Sequence, residues 1–294
     1  TNYLFKYIMS TTNNNSLVFY ITGASKGLGK VFTQRLLEKG HRVVATSRDT
    51  DQLKSAIANN SDSFLPLKVD LATEKSVADS LAAATAKFGR IDVVINNAGY
   101  SIGGTVEEMS DSELRQNFDI NFFGMVNVMR HVAPVLRKQA SGFVLNISSI
   151  GGFVGNYPSF AAYCATKFAV DGMTEGFAAE MQPFGVRVTT INPGYFRTEF
   201  LNSTSFMSTK TKIDAYAAAH KFEEDHRTQV NGTQQGDPSK MLDVILDLVQ
   251  NTPIDKVPLH LFVGPDAVDM AKQKIERMSK DLAVWDTKAR STSF

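Results

Sequence analysis

Tyr163-Cys164-Ala165-Thr166-Lys167 places a phenol and an ammonium four residues apart in a helical pattern, hence on one face of a helix. A phenol with its ordinary pKa near ~10 is a poor acid or base at neutral pH. A neighbouring cation stabilises the phenolate and brings the group toward its working range. Taken alone the pair is a weak signal, because Tyr-x-x-x-Lys also occurs on ordinary helix surfaces. Two further groups strengthen it. Ser148-Ser149 closes an apolar run 14 positions before Tyr163. A hydroxyl there can hydrogen-bond a substrate carbonyl, although the pair also suits the turn into Gly151-Gly152. Asn121 interrupts the apolar helical run Ile120-Asn121-Phe122-Phe123. A buried amide needs partners; this one either holds a water linked to Lys167 or merely distorts the helix.

A second constellation binds rather than reacts. Thr22-Gly23-Ala24-Ser25-Lys26-Gly27-Leu28-Gly29 follows the apolar run 17–21 and precedes a helical pattern through Val31, Phe32, Leu36 and Leu37. Strand, glycine-rich turn and helix present free backbone N–H groups and a positive helix end to a phosphate. Gly23 suits the tight turn, Gly27 lets a pyrophosphate approach the backbone, and Gly29 lets the helix lie close on the strand. The spacing is Gly-x-x-x-Gly-x-Gly. Ser47 and Arg48 stand at the end of the second strand, where an acidic residue would hold a ribose 2′-hydroxyl. With Lys26 in the glycine turn they suit a 2′-phosphate, which a guanidinium binds strongly and bidentately. Asp49 should point away. The competing reading is that Lys26 and Arg48 are solvated surface charges, but both occupy cofactor-side positions. The expected ligand on this wall is a dinucleotide that carries a 2′-phosphate.

Together, Thr22 to Gly29, Asn96-Asn97-Ala98-Gly99, Asn121, Ser149, Tyr163/Lys167 and Pro193-Gly194 resemble the short-chain dehydrogenase/reductase family across roughly residues 17–200. The resemblance implies a nicotinamide cofactor, hydride transfer at a carbonyl or alcohol carbon, and an Asn–Ser–Tyr–Lys tetrad. By it, Tyr163 is the general acid/base, and Lys167 lowers its pKa and holds the nicotinamide ribose. Ser149 polarises the carbonyl and Asn121 holds a proton-relay water. Asn97 sits by the cofactor, Thr198 resembles the threonine on the carboxamide, and Asp70 resembles the residue on the adenine amino group. The expected cofactor surface is Gly23, Ser25, Lys26, Gly27, Leu28, Gly29, Ser47, Arg48, Asp70, Leu71, Asn97, Ala98, Gly99, Tyr163, Lys167, Pro193, Gly194 and Thr198. The serine–tyrosine interval is one residue longer than the common family pattern, so the loop 151–158 should bulge. Ser149 is chosen over Ser148 as the second serine after the strand.

The elements that must position these groups alternate. Strands are expected over 17–21, 42–46, 64–69, 92–96, 143–147, 186–191 and 259–263. Helices should fall in the first segment after Gly29 and over 49–59, 73–88, 110–138, 159–182, 238–250 and 267–285. This is the signature of a single doubly wound parallel sheet, a Rossmann fold, with helices on both faces. One domain spans 17–286, and no internal repeat is visible. In such sheets ligands bind beyond the carboxyl ends of the strands. The glycine turn, Asp70, Asn96 to Gly99, Ser148, Ser149, Pro193 and Gly194 all fall at such ends. Residues 194–236 are irregular and polar, with 213–226 the best helix candidate, and their length suits a lid over the cleft. Phe153, Val154, Tyr157, Phe160, Tyr195, Phe196, Leu201, Phe206 and Met207 either line an apolar substrate pocket or pack the lid on its own core.

Bulk properties exclude several classes. In 294 residues, 43% are hydrophobic and 21% charged, with a net charge of +1. No field favours nucleic acid or an anionic membrane. No apolar run approaches the ~20 residues of a membrane span. The five histidines show no zinc spacing and the single cysteine, Cys164, has no partner, so no metal site is expected. The expected location is cytoplasmic. Residues 1–16 read as a flexible arm, with Met9 the natural start, and 287–294 as a mobile tail. Ala165, Ala169, Gly172 and Gly176 allow close helix approach, within the sheet layer or across a dimer or tetramer boundary. The sequence thus describes an NADP(H)-dependent reductase of an apolar ketone or aldehyde. The alternatives are an NADP+-dependent alcohol or hydroxysteroid-type dehydrogenase and a non-catalytic NADP(H)-binding sensor or scaffold.

Overall fold

The computed structural model describes residues 16–202 and 205–294; the expected N-terminal arm and the Met9 start fall outside this range, apart from Ser16. β1 (Val18–Thr22) is buried at every position, which is why its sequence is a continuous apolar run and not an alternating one. From it the chain passes through α1 (Gly27–Glu38), β2 (Arg42–Ser47), α2 (Thr50–Ile57), β3 (Phe64–Lys68), α3 (Glu74–Phe88) and β4 (Val93–Asn96). A short β5 (Ser101–Gly103) leads into α4 (Asp111–Phe118) and α5 (Gly124–Gln139). Then come β6 (Gly142–Ile147), α6 (Ala161–Met181) and β7 (Val186–Pro193). The last third holds β8 (Phe206–Ser208), α7 (Ala217–Asp225), α8 (Pro238–Asn251), β9 (His260–Val263) and α9 (Pro265–Arg290).

Seven strands form one parallel sheet in the order β3-β2-β1-β4-β6-β7-β9. The order reverses between β1 and β4, and that switch point opens a crevice at the strands' carboxyl ends. Alternate residues of each strand feed two cores. Phe19, Ile21 and Val43 pack on one face with Phe32, Leu36, Leu242 and Ile245. Tyr20, Val44 and Val94 pack on the other with Val128, Leu136 and Phe177. Each such fully buried side chain contributes about 1.5–3 kcal/mol. Tyr20 hydroxyl meets Ser80 Oγ at 2.6 Å, and burial pushes that phenol up to about 12.

Local chemistry fixes the helix ends. Asp49 Oδ1 accepts from the N–H groups of Asp51 and Gln52 and so caps α2. Ser110 and Glu113 form a reciprocal capping box on α4. Asp237 caps α8, with Pro238 at the first helical position.

The alternation and the doubly wound sheet agree with the sequence reading; three details differ. The helix expected over 110–138 is interrupted by a π-turn, Asp119–Phe123, with Asn121 at its centre. Residues 194–236 are more ordered than their polarity suggested. β8 pairs with β5 in a small parallel sheet, and α7 continues into a second π-turn, His226–Val230. Three-residue strands carry too few side chains to show a period. α9 runs to Arg290, five residues past the expected end at Trp285, so its last turns include part of the expected tail. On α6, Gly172 and Gly176 face outward with open space beside them, which places that stripe away from the sheet.

Candidate active site

One cleft of about 530 Å3 opens across the carboxyl ends of β1, β2, β4, β6 and β7. Its phosphate-side wall is built from the first turn of the chain. Gly29 is buried against that turn; a Cβ there would stand 2.5 Å from Gly23 O, so helix and turn touch as the spacing required. Gly27 takes φ +55°, and a Cβ would project into open space with Thr198 Cβ 4.0 Å away. No acidic residue and no capping side chain occupies the first turn of α1, so its backbone N–H groups are not taken by a side-chain cap. This end of the cleft fits a dinucleotide pyrophosphate. Asn97 braces the wall: its Nδ2 donates to Thr22 O at 2.9 Å and to Gly23 O at 3.1 Å.

Lys26 and Arg48 meet at the same wall. Burial lowers the Lys26 ammonium pKa, the Arg48 charge lowers it further, and Glu199 opposes both. Both side chains line the cleft. Ser47 Oγ accepts from Asp49 N at 3.2 Å, which leaves its O–H to donate.

At the centre of the cleft Tyr163 and Lys167 rise from α6, with Ser149 opposite at the end of β6. Ser149 Oγ accepts from Gly151 N at 3.0 Å, so its proton is free to donate toward the Tyr163 side. Ser148 is buried and donates instead to Lys167 O at 3.3 Å, which separates the two serines. The long serine–tyrosine interval runs through a 3-10 turn, Ile150–Gly152, and through Ser159 in the left-handed region at φ +64°.

Electrostatics correct one expectation. Burial raises the Tyr163 phenol above its ordinary value, and the Ser149 hydroxyl pulls only partly against it. Lys167 does not bring the phenol down here. Its Nζ donates to Ile147 O at 2.8 Å and stands 5.8 Å from the Tyr163 ring centroid. Burial lowers Lys167 itself to about 8, with Asp171, one turn along α6, raising it. The Asp171 carboxyl is buried, accepts from Asn192 Nδ2 at 2.9 Å and lies 3.7 Å from His260 Nδ1. Asp171→Asn removes the group that holds the ammonium up, so Lys167 should lose its proton at lower pH. Lysine 13Cε NMR titration of both proteins checks this; an unmoved Lys167 midpoint breaks the pairing.

Of the expected site residues, Gly23, Ser25, Lys26, Gly27, Leu28, Ser47, Arg48, Leu71, Asn97, Ala98, Gly99, Ser149, Tyr163, Lys167, Pro193, Gly194 and Thr198 line the cleft. Three do not. Gly29 lies behind the turn. Asp70 is solvent-exposed and its carboxylate accepts from Ala72 N and Thr73 Oγ1, which holds it in the turn before α3. Asn121 is buried behind Gly99; its Nδ2 donates to Tyr100 O and Thr166 Oγ1, and its Oδ1 accepts from Tyr100 N. With both amide hydrogens taken by protein, its side chain braces the site and has no N–H left for a water. Of the apolar candidates, Tyr157, Phe160, Tyr195, Phe196, Leu201 and Met207 reach the cleft. Phe206 is fully buried and stacks on Phe160. Phe153 and Val154 pack under α9.

The segment over the cleft is held by two buried carboxylates that sequence reasoning missed. Burial alone would raise Glu108, but hydrogen bonds from Thr105 N, Ile213 N, His220 and Thr105 Oγ1 bring it down to about 2. Glu223 takes Lys212 Nζ at 2.9 Å and packs beside Gly103. Also missed were Tyr100, Gln116, Gln234 and His226 on the cleft, and Asp266, which accepts from Tyr195 N at 2.7 Å. Tyr100 directly follows Asn96 to Gly99 and was findable; the others carry no local pattern that points to the cleft.

A family model described as short chain dehydrogenase matches residues 17–208. Oxidoreductase BOA17 of Botryotinia fuckeliana is 33% identical over 269 residues, covering 91% of this chain and 96% of its own. The 3-ketodihydrosphingosine reductase of Bacteroides thetaiotaomicron is 38% identical over 200 residues, 68% of this chain and 71% of its own. A short-chain dehydrogenase structure from Streptomyces avermitilis superposes with a TM-score of 0.85 at 32% identity, covering 95% of this chain and all of the other.

Proposed function

The chain belongs to the short-chain dehydrogenase/reductase family and is an oxidoreductase that uses a nicotinamide cofactor at CH–OH or C=O carbons; we propose that its cofactor is NADP(H) and that it reduces an apolar ketone or aldehyde. The observation that carries the cofactor choice is the Lys26–Arg48 pair facing the cleft where an NAD-type site would present a carboxylate. Asp49, next in sequence and also on the cleft, caps α2 through its Oδ1.

In this reading the first turn of α1, Ser25 and Asn97 hold the phosphates and the ribose side. Lys26, Ser47 and Arg48 hold the 2′-phosphate, and Thr198 holds the carboxamide. The bound nicotinamide supplies the hydride. Ser149 donates to the substrate carbonyl oxygen, and Tyr163 delivers its phenolic proton to that oxygen as negative charge builds. Lys167, whose charge Asp171 favours and whose Nζ is anchored on Ile147 O, holds the nicotinamide ribose. Phe160, Phe200, Leu201 and Met207 give the substrate side its apolar surface. Residues 194–236 act as the lid, and closure excludes water from the proton transfer.

The same residues serve the reverse oxidation. Tyr163, Lys167 and Ser149 are all present and converge, which argues against a non-catalytic sensor. Among the described residues no helix is long and apolar enough to cross a membrane. A cytoplasmic location and a homo-oligomer of two or four copies belong to the same proposal; the outward small-residue stripe of α6 supports the oligomer.

Fluorescence titration with NADPH and NADH tests the cofactor assignment. NADPH should bind at least about tenfold tighter, a difference of ~1.4 kcal/mol. Equal or tighter binding of NADH overturns it.

A further inference from the structure

Besides the apolar Phe160, Phe200, Leu201 and Met207, the cleft lining carries polar groups, and two of these are bonded to each other. Tyr195 and His226 both line it, and Tyr195 hydroxyl meets His226 Nε2 at 2.9 Å. On the far side of the ring, His226 Nδ1 lies 2.8 Å from Phe222 O. A carbonyl oxygen only accepts, so Nδ1 carries the hydrogen. In the neutral imidazole Nε2 is then the acceptor, and the Tyr195 hydroxyl must donate to it. The tyrosine's one proton is thereby spent, and what its oxygen can still offer is a lone pair.

The pair is built, not incidental. His226 is 7% exposed and begins the π-turn 226–230. Its ring is caged by Phe160 at 4.9 Å and Phe222 at 4.6 Å between centroids. Tyr195 is held at its backbone by Asp266. In such walls an unmatched oxygen facing a ligand loses hydration without replacement, whereas a matched one selects.

We propose that the Tyr195–His226 pair is a specificity site that reads a hydrogen-bond donor on the substrate away from the reacting carbonyl. The substrate class is a hydroxylated apolar ketone or aldehyde, with the hydroxyl donating to Tyr195 Oη. The inference rests on the reductase reading above, which places the reacting carbonyl at Tyr163.

The test uses medium-chain 2-alkanones ending in a hydroxyl, a methoxy group or a hydrogen, with binding to the NADP+-loaded protein measured by calorimetry. Across the series, the best hydroxyl-ended ligand should bind roughly tenfold tighter than its methoxy and hydrogen counterparts. In Tyr195→Phe the three should bind alike. In His226→Leu the phenol proton is released to donate, so the methoxy ligand should gain and its gap to the hydroxyl ligand close. Equal binding of the three ligands by the unaltered protein overturns the proposal, as does a hydroxyl preference that survives in Tyr195→Phe. Should His226→Leu fail to fold, Tyr195→Phe still decides. NADPH oxidation is followed separately: a hydroxyl preference in binding with no turnover of any ketone defeats the reductase reading and leaves the donor-reading site standing.

Discussion

Tyr163→Phe should lower kcat for NADPH-dependent ketone reduction by about 10^2- to 10^4-fold, the range for a lost general acid. NADPH affinity should stay within about twofold. The separation of the two effects follows from the geometry. The phenol stands in the middle of the cleft with Ser149 opposite, whereas the groups assigned to the phosphates lie at the α1 end. Removing one oxygen leaves the ring and its neighbour Phe200, whose centroid lies 6.1 Å away, in place. The fold should therefore be unchanged. Burial works in favour of the reduction: a phenol held above its ordinary pKa stays protonated through the neutral range and is ready to donate. The same burial makes the phenolate product costly, and the Ser149 hydroxyl pulls only partly against it. Turnover in the oxidative direction, which needs the phenolate first, should accordingly rise with pH more steeply than reduction. Steady-state kinetics of both directions across pH, with cofactor affinity by fluorescence, measure all of this. Retained turnover in Tyr163→Phe removes the acid from its assigned place.

How much of this was legible in sequence depended on whether a residue worked locally or through the fold. The buried strands announced themselves because both faces of a central parallel strand are covered, which makes a run such as Val18 to Ile21 continuously apolar instead of alternating. The glycine turn and Tyr163/Lys167 were legible because their chemistry needs fixed spacing along one turn or one helix face. Asn121 was legible as an anomaly but not as a brace, because its partners Tyr100 and Thr166 come from elsewhere in the chain. The same holds for Asp171 beneath Lys167, and for Tyr195 and His226, 31 residues apart. Glu108 and Glu223 carry no local signal of burial in the sequence around them. Only the return of 206–230 over β5 buries them, and no local pattern records that return. Asp70 shows the opposite case: its carboxylate accepts from Ala72 N and Thr73 Oγ1 in a local turn and lies outside the cleft.

The largest effect on binding should come from the double substitution Lys26→Ala with Arg48→Asp. Each charged contact to a phosphate is worth about 1.5–3 kcal/mol. Arg48 is exposed and Lys26 half-buried, so the lower figure applies. Together they amount to about 3 kcal/mol, or roughly 10^2-fold in the NADPH dissociation constant. NADH, which lacks the 2′-phosphate, should bind no worse, and the carboxylate at 48 can take its ribose hydroxyl as in an NAD-type site. The two cations repel each other, since Arg48 is one of the causes that depress Lys26. In the double variant the lost Lys26–Glu199 attraction and the relieved repulsion oppose each other, so the melting temperature of the cofactor-free protein should stay close to that of the parent. That near-constancy separates a binding role from a structural one. Had the pair held the fold together, its loss would weaken NADPH and NADH binding alike and lower the melting temperature. Titration of both nucleotides against both proteins, with melting curves alongside, distinguishes the two, and parallel loss of NADPH and NADH affinity defeats the 2′-phosphate assignment.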